Sequence, residues 1–311
     1  MRSTARGNAS CIPVSWEQSR NRSFLLGLLP ALAVLLVITL APALALFVTS
    51  LTPLSLVDPT VSFNFSDPLV NFRQLMQDER FLDSAITQCK LSLLTVAMQL
   101  TAGTSLALLL NGKSSVLQYA RSVFLIPMLI PPVVVALIWK IIYSPDISPL
   151  HRLLEFSGLT LEALTTNPHT ALWAIAVADT WQWFPFTLLM ILASLHMLPA
   201  DPVEAARMDG ASRIQVLRYI VLPHVRPVLV VCGLFRLIDS FKAFPLIYIL
   251  TDGGPGNVTE VSNYYGFTQA FNFSYWGYGS AIAVLILAGV FFLSLIVTQF
   301  TRNSHDPIKN T

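Results

Sequence analysis

Arg236, Asp239 and Lys242 recur every three residues within an otherwise apolar stretch. Residues three apart share one face of a helix, so that face reads plus, minus, plus. A charge at the centre of a membrane-spanning helix costs about 2.5–3.5 kcal/mol on insertion scales. Three such costs exceed what a lipid-facing helix tolerates, so the face must look into a bundle or a wet cavity. At about 1.5 Å per residue, Asp239 falls roughly 17 Å along a span of about 30 Å, near the midplane. Two chemistries stay open: an ion ladder that only holds helices together, or part of a polar path across the membrane. In another apolar stretch, Asp179 precedes the run Trp181-Gln182-Trp183-Phe184-Pro185. Aromatic faces beside a polar group suit a ligand with apolar C–H faces and a hydroxyl rim. Plain packing around a proline-permitted kink accounts for the same run.

A polar segment follows. Residues 204–227 read EAARMDGASRIQVLRYIVLPHVRP. Asp201-Pro202-Val203-Glu204 has the pattern of a capping box, with proline in the first turn. Ala205 and Ala206 keep the helix surface small, which permits close approach by a partner. Gly210 suits a left-handed helix end. A second helix is expected from about Ser212, with Ile214, Leu217 and Val221 on one face. Leu222-Pro223 is expected to stop it, and Pro227 to open the next span. Spacing alone leaves two readings, an interfacial loop without a partner or a docking element.

The elements that must position these groups are membrane spans. The chain has 311 residues, 54% hydrophobic and 12% charged, with mean hydropathy +0.63. Soluble domains carry about 25% charged residues, so a soluble globular domain is excluded. Six stretches are long and apolar enough to span at roughly 20 residues each: 24–50, 86–110, 116–143, 171–194, 227–250 and 276–300. The first has a basic front, but its apolar run exceeds the roughly 7–15 residues of a signal peptide. With the N-terminus inside, twelve of the nineteen Lys and Arg fall in cytoplasmic segments and only Arg73, Arg80 and Arg152 outside. That bias places both termini in the cytoplasm. The expectation is an all-α membrane protein with six transmembrane helices. Residues 1–23 form a cytoplasmic tail, 24–300 the six-span unit with a cytoplasmic loop at 201–227, and 301–311 a second tail. The longest outer loop, 51–85, has room for a small helix but not for a domain. Tyr275, Trp276 and Tyr278 open the sixth span as an aromatic belt.

Other motifs carry little. Gly112-Lys113-Ser114 ends like a phosphate loop, but Ala107 stands where the pattern needs glycine, and a span precedes it. The five histidines make no ligand pair at helical spacing, and Cys11, Cys89 and Cys232 form no metal-ligand pattern. No metal site, no catalytic cluster and no nucleic-acid partner are expected.

The run Glu204-Ala205-Ala206, Asp209-Gly210-Ala211, Gln215, Leu217, Ile220, Leu222-Pro223 and Pro227 resembles the EAA signature of binding-protein-dependent ABC importer permeases, nearly position for position. Phe241-Lys242-Ala243-Phe244, Ile247, Tyr248, Leu250, Thr251 and Gly253-Gly254-Pro255-Gly256 are similar to the end of the fifth span in carbohydrate permeases of the class of the maltose transporter's larger membrane subunit. Leu125-Ile126-Pro127 and Trp139-Lys140 resemble that class's third span. The resemblance covers roughly residues 24–300. Pro245 departs from it, since many relatives carry Asp there. The chain lacks the large extracytoplasmic insert of the maltose subunit and is closer to compact sugar and polyol relatives.

The resemblance implies a type I ABC importer permease fold in a bacterial or archaeal cytoplasmic membrane. It implies a heterodimer with a second permease subunit, two cytoplasmic ATPase subunits and an extracytoplasmic sugar-binding protein, with membrane lipid around the spans. This chain is then no enzyme and binds no cofactor; ATP and Mg belong to the ATPase subunits. Coupling to them falls to Glu204, Ala205, Ala206, Asp209, Gly210, Ala211, Leu222 and Pro223. The sugar contact of the family lies around the fifth-span midpoint, here Ser240 and Ala243, which with Asp179, Trp183, Arg236, Asp239 and Lys242 make the expected substrate path. A secondary transporter or channel working without an ATPase explains six spans and buried charges but not the loop. An importer of glycerol phosphate or polyol is the alternative substrate reading, with Arg236 and Lys242 as two of the cations a phosphate needs.

Overall fold

The computed structural model describes residues 14–57, 64–112, 114–148, 152 and 164–303. The tail positions 1–13 and 304–311, and Lys113 of the phosphate-loop look-alike, lie outside the described residues. Among those described the chain is all-helical.

The first helix, α1, runs Val14–Ser50, and a short α2 covers Val70–Gln77. Next, α3 spans Glu79–Leu109, seven residues before the expected start of the second span. Its first turn is fixed by Asp78, whose carboxylate accepts from the backbone N–H groups of Arg80 and Phe81. A long helix α7, Ala171–His196, is the fourth span and continues through Pro185. The last, α13, covers Trp276–Asn303.

The third span is not one helix. It begins with α4 (Ser115–Phe124) and α5 (Ile126–Leu129), then turns by 99° into α6 (Pro132–Tyr143). The cause is the tandem Pro131-Pro132. A residue before proline avoids the α region, and Ile130 and Pro131 accordingly take ψ 132° and 140°.

The fifth span also departs from expectation, at both ends. Short α8 (Ala200–Met208) leads through Gly210 to α9 (Arg213–Val216), a π-helical turn at Leu217–Val221, and α10 (Leu222–Ser240). Leu222-Pro223 does not stop this helix. The amide of Leu222 reaches five residues back to the carbonyl of Leu217, so the wide turn absorbs the missing N–H of Pro223. The chain then breaks at 241–243 and resumes as α11, Phe244–Leu250. Pro245 explains the break, because in a continuous helix its ring would meet the carbonyl of Phe241. Finally α12 (Ser262–Phe267) and a second π turn (Thr268–Asn272) lead into α13.

Among the described residues, five helices are long and apolar enough to cross a membrane, and the bent pair makes up to six. At one end of the bundle, Ala107 of α3 and Leu110 just after it pack with Leu188, Leu192 and Leu195 of α7 and Val225 of α10. At the other end, Leu75 and Phe81 pack with Tyr265, Ala281 and Ile282. Between them, α3 and α7 approach closely at Gly103. A Cβ there would lie 2.5 Å from Cβ of Thr187 and 2.8 Å from the carbonyl of Phe184.

Candidate functional site: a buried polar network and an exposed hinged loop

Three helices bring a polar cluster together inside this frame. Gln99 on α3 is fully buried. Its Nε2 donates to Asp179 Oδ2 on α7 at 2.7 Å, and its Oε1 accepts from Arg236 Nε on α10 at 2.9 Å. Arg236 also donates from Nη1 to Asp239 Oδ2 at 3.0 Å. The Arg236 guanidinium lies over the Trp183 ring, 4.5 Å from its centroid, a cation–π contact that is strong when desolvated. Lys242 Nζ donates to Asp239 Oδ1 at 3.0 Å. The plus-minus-plus ladder is therefore made, although Lys242 sits in the break after α10. It is also graded in exposure. The Arg236 side chain is 2% exposed, Asp239 39% and Lys242 75%. The buried end is locked by Gln99 and Trp183, and the open end borders a cavity.

That cavity has a volume of about 270 Å³ and is lined by Asp179, Gln182, Trp183, Asp239, Lys242 and Ala243, among others. Arg236 stands behind its wall. Ser240 does not line it; its hydroxyl donates to the carbonyl of its own helix at Leu237, 2.6 Å away, and it is buried. The break after α10 carries Ala243 towards the cavity while Ser240 stays in the helix. Gln182 joins the two bent elements. Its Nε2 donates to the carbonyl of Ile130 at the bend before α6, and its Oε1 is buried without a partner beside the cavity. Pro245, at the position that departs from the family pattern, lines the cavity too.

Gln99 carried a signal that spacing could have found. The buried residues Ser84, Gln88, Ser92, Thr95, Gln99, Gly103 and Ala107 recur along α3 at steps of three or four. Small and polar residues in one stripe of a membrane helix turn inward.

The loop after α7 is the second feature. The expected capping box at Asp201 is absent. The helix begins at Ala200 with Pro199 before it and no side-chain cap, and Asp201 sits in the first turn, where its charge complements the helix dipole. The box occurs instead at the next helix. Ser212 Oγ accepts from the amide of Gln215, and Gln215 Oε1 accepts from the amide of Ser212. Between the two helices Gly210 has φ +80°. The amide of Ala211 reaches the carbonyl of Ala206 at 2.9 Å and that of Gly210 reaches Arg207 at 3.1 Å, a Schellman closure. Ile214 does not join an inward face; Val216 is buried instead. Met208 is 88% and Ile214 76% exposed. The Glu204 and Asp209 carboxylates are exposed and meet no partner among the described residues.

The family model described as binding-protein-dependent transport system inner membrane component matches residues 99–304. The chain belongs to that family. It is a multi-pass membrane protein and a transport component, not an enzyme. It is 31% identical over 282 residues to the trehalose/maltose transport system permease protein MalF of Thermococcus litoralis, covering 90% of this chain and 93% of that one. It is 32% identical over 228 residues to the trehalose transport system permease protein SugA of Mycobacterium tuberculosis, covering 73% and 72%. Its fold matches a chain of a bacterial ABC transporter involved in the import of the acidic polysaccharide alginate, at TM-score 0.80 and 20% identity over 94% of this chain and 99% of the other.

At the far end of the bundle, Arg80 grips Glu260 through Nε and Nη2 at 2.7 and 2.9 Å and ties α3 to the loop before α12. Tyr278 was expected in an aromatic belt; its hydroxyl instead donates to Asp78. Tyr265 donates to the same oxygen at 2.6 Å. Burial alone would push the Asp78 carboxyl up. The hydrogen bonds from the two tyrosines and from the amides of Phe81 and Arg80 outweigh it and hold the group below the usual carboxylate range.

Proposed function

We propose that this chain is one permease half of an ATP-driven importer of neutral sugars in a bacterial or archaeal cytoplasmic membrane. A second permease completes the path, two ATPase subunits bind ATP and Mg on the cytoplasmic side, and an extracytoplasmic binding protein delivers the sugar. Residues 201–227 dock into an ATPase subunit. A short helix closed at Gly210 is a stiff lever, Ala205 and Ala206 permit close approach, and Glu204 and Asp209 are free to pair with cations across the interface, which sets register. Ala211, Leu222 and Pro223 hold the lever to the span below it. The observation that carries this reading is the loop's unpartnered surface, with Met208 and Ile214 exposed beside two unpaired carboxylates.

The cavity at Trp183 supports a neutral sugar over a phosphate ester. Arg236 and Lys242 both pair with Asp239, so no spare pair of cations converges on a dianion. Trp183 offers a ring and the free oxygen of Gln182 accepts from a hydroxyl. Asp239, Lys242 and Ala243 complete the contact surface, Asp179 braces it, and Ser240 acts only through its place in the helix.

Two substitutions test the two halves of the proposal in the assembled complex. Glu204→Lys reverses an exposed charge, so the chain still inserts. ATP hydrolysis should no longer respond to sugar and binding protein. Ala243→Trp fills the cavity without stranding a charge. Basal ATP hydrolysis should persist while sugar uptake falls at least tenfold. Normal stimulation in the first variant, or normal uptake in the second, rules out the role assigned to that residue.

A further inference from the structure

We propose that a cleft between α2, residues 53–57 and the corner joining α12 to α13 is a second site for a neutral saccharide, separate from the cavity at Trp183. The inference rests on the reading of the chain as a sugar permease. The cleft has a volume of about 700 Å³, within the range of small-molecule sites. It lies at the end of the bundle opposite the 201–227 loop, since α2 and the start of α3 pack with α12 and α13 there. With that loop facing the ATPase, the cleft faces the side from which substrate arrives.

The walls are fixed by hydrogen bonds. The amide of Leu56 donates to the carbonyl of Ser274 at 3.1 Å, and that of Gly277 to Leu54 at 2.9 Å. Asn71 Nδ2 ties α2 to the carbonyls of Ser50 and Thr52 at 2.9 and 2.8 Å. The one carboxylate among the described lining residues is already occupied. Asp78 Oδ2 accepts from Tyr265 and Tyr278, and Oδ1 from two backbone amides. Among the described residues, no lysine or arginine lines the cleft.

What remains to meet a ligand is uncharged. Gln74 and Gln77 stand three apart on one face of α2, exposed, with Gln269 half-buried across from them. None of the three amides has a hydrogen-bond partner among the described residues. The Tyr275 ring lies at the rim, 47% exposed. An amide both donates and accepts, as a sugar hydroxyl does, and an aromatic face takes the C–H face of a pyranose. Among the described lining residues an anion finds no cation, and a metal ion finds no free carboxylate. The chemistry selects a neutral polyhydroxylated ligand.

Saturation-transfer NMR on the assembled transporter without its binding protein tests the site, with maltotriose as probe. Transfer to maltotriose is expected in the wild type and in Ala243→Trp, whose inner cavity is filled. Gln74→Ala/Gln77→Ala/Tyr275→Ala should weaken binding at least tenfold. Gln77→Cys blocked by a maleimide after assembly should give the same loss without requiring three changes to fold. No transfer in the wild type, loss in Ala243→Trp alone, or transfer that survives every variant overturns the site. ATP-dependent uptake of labelled maltotriose by the complete wild-type system, binding protein included, is measured in parallel. Failure of that uptake counts against the permease reading, whereas normal uptake without outer-cleft binding counts against this site alone.

Discussion

A buried charge is stable only when every partner is in place, and Gln99 shows how Asp179 and Arg236 are joined without a direct ion pair between them. It sits between Asp179 and Arg236, donating to one and accepting from the other. Hydrogen bonds to charged groups contribute about 1.5–3 kcal/mol each. Gln99→Leu should therefore lower the thermal unfolding midpoint of the purified complex by several degrees and reduce assembly; an unchanged midpoint would show that Asp179 and Arg236 find other partners. Asp78 makes a different statement. Its carboxyl is held below the ordinary range, so its contribution is fully present above the unfolded-state value and is lost as pH falls through the lower folded value. Acid unfolding should steepen below about pH 4, near the reference carboxylate pKa, and Asp78→Asn should remove that step. A wild-type acid profile in Asp78→Asn contradicts the assignment. At this scale the ladder was legible, because three-residue spacing on a helix fixes a shared face. Ser240, placed on the path by resemblance, donates within its own helix and does not line the cavity, because the chain leaves the helix only at the residue after it.

At the scale of elements, prolines caused most of the differences. With Pro223 read as a stop and Pro227 as the start of a span, the sequence divides a helix that in fact runs Arg213–Ser240; at Pro223 a π turn supplies the room that the missing amide demands. Pro131-Pro132 and Pro245 do break their spans, and both breaks border the cavity, where Pro132 and Pro245 are part of the lining. Local sequence cannot tell an absorbed proline from a breaking one, because the outcome depends on which carbonyls find other donors. The second and fourth spans were easier, since long apolar runs leave little choice of element. Their packing depends on Gly103. Gly103→Val places a branched side chain where even a Cβ would lie 2.5 Å from Thr187. Overpacking of this kind costs about 1–3 kcal/mol, so α3 and α7 should separate and the polar network one turn away should loosen. Thermal unfolding of the variant checks this, and wild-type stability would mean that the helices give way freely.

At the scale of the whole molecule, the exposed loop and the outer cleft occupy opposite ends of one bundle, with the ion network between them. The twelve-to-three bias of basic residues is the ground for the proposed orientation, with the 201–227 loop in the cytoplasm. Met208→Cys, on a background without other cysteines, should react with a membrane-impermeant maleimide only when the cytoplasmic face is open; labelling solely from outside would invert the topology and the docking surface together. The proposal that other chains supply the ATPase and the receptor rests on loop length, since the longest outer loop expected, 51–85, has no room for a domain. The central claim is that ATP hydrolysis on partner subunits drives a sugar through this chain. The most direct measurement is uptake of labelled trehalose or maltose into proteoliposomes that hold this chain, its partner permease and the ATPase, with binding protein outside and ATP within. Uptake should require all four proteins and ATP, and should vanish when ATP is replaced by a non-hydrolysable analogue. Uptake by this chain alone, driven by an ion gradient and indifferent to ATP, would contradict it.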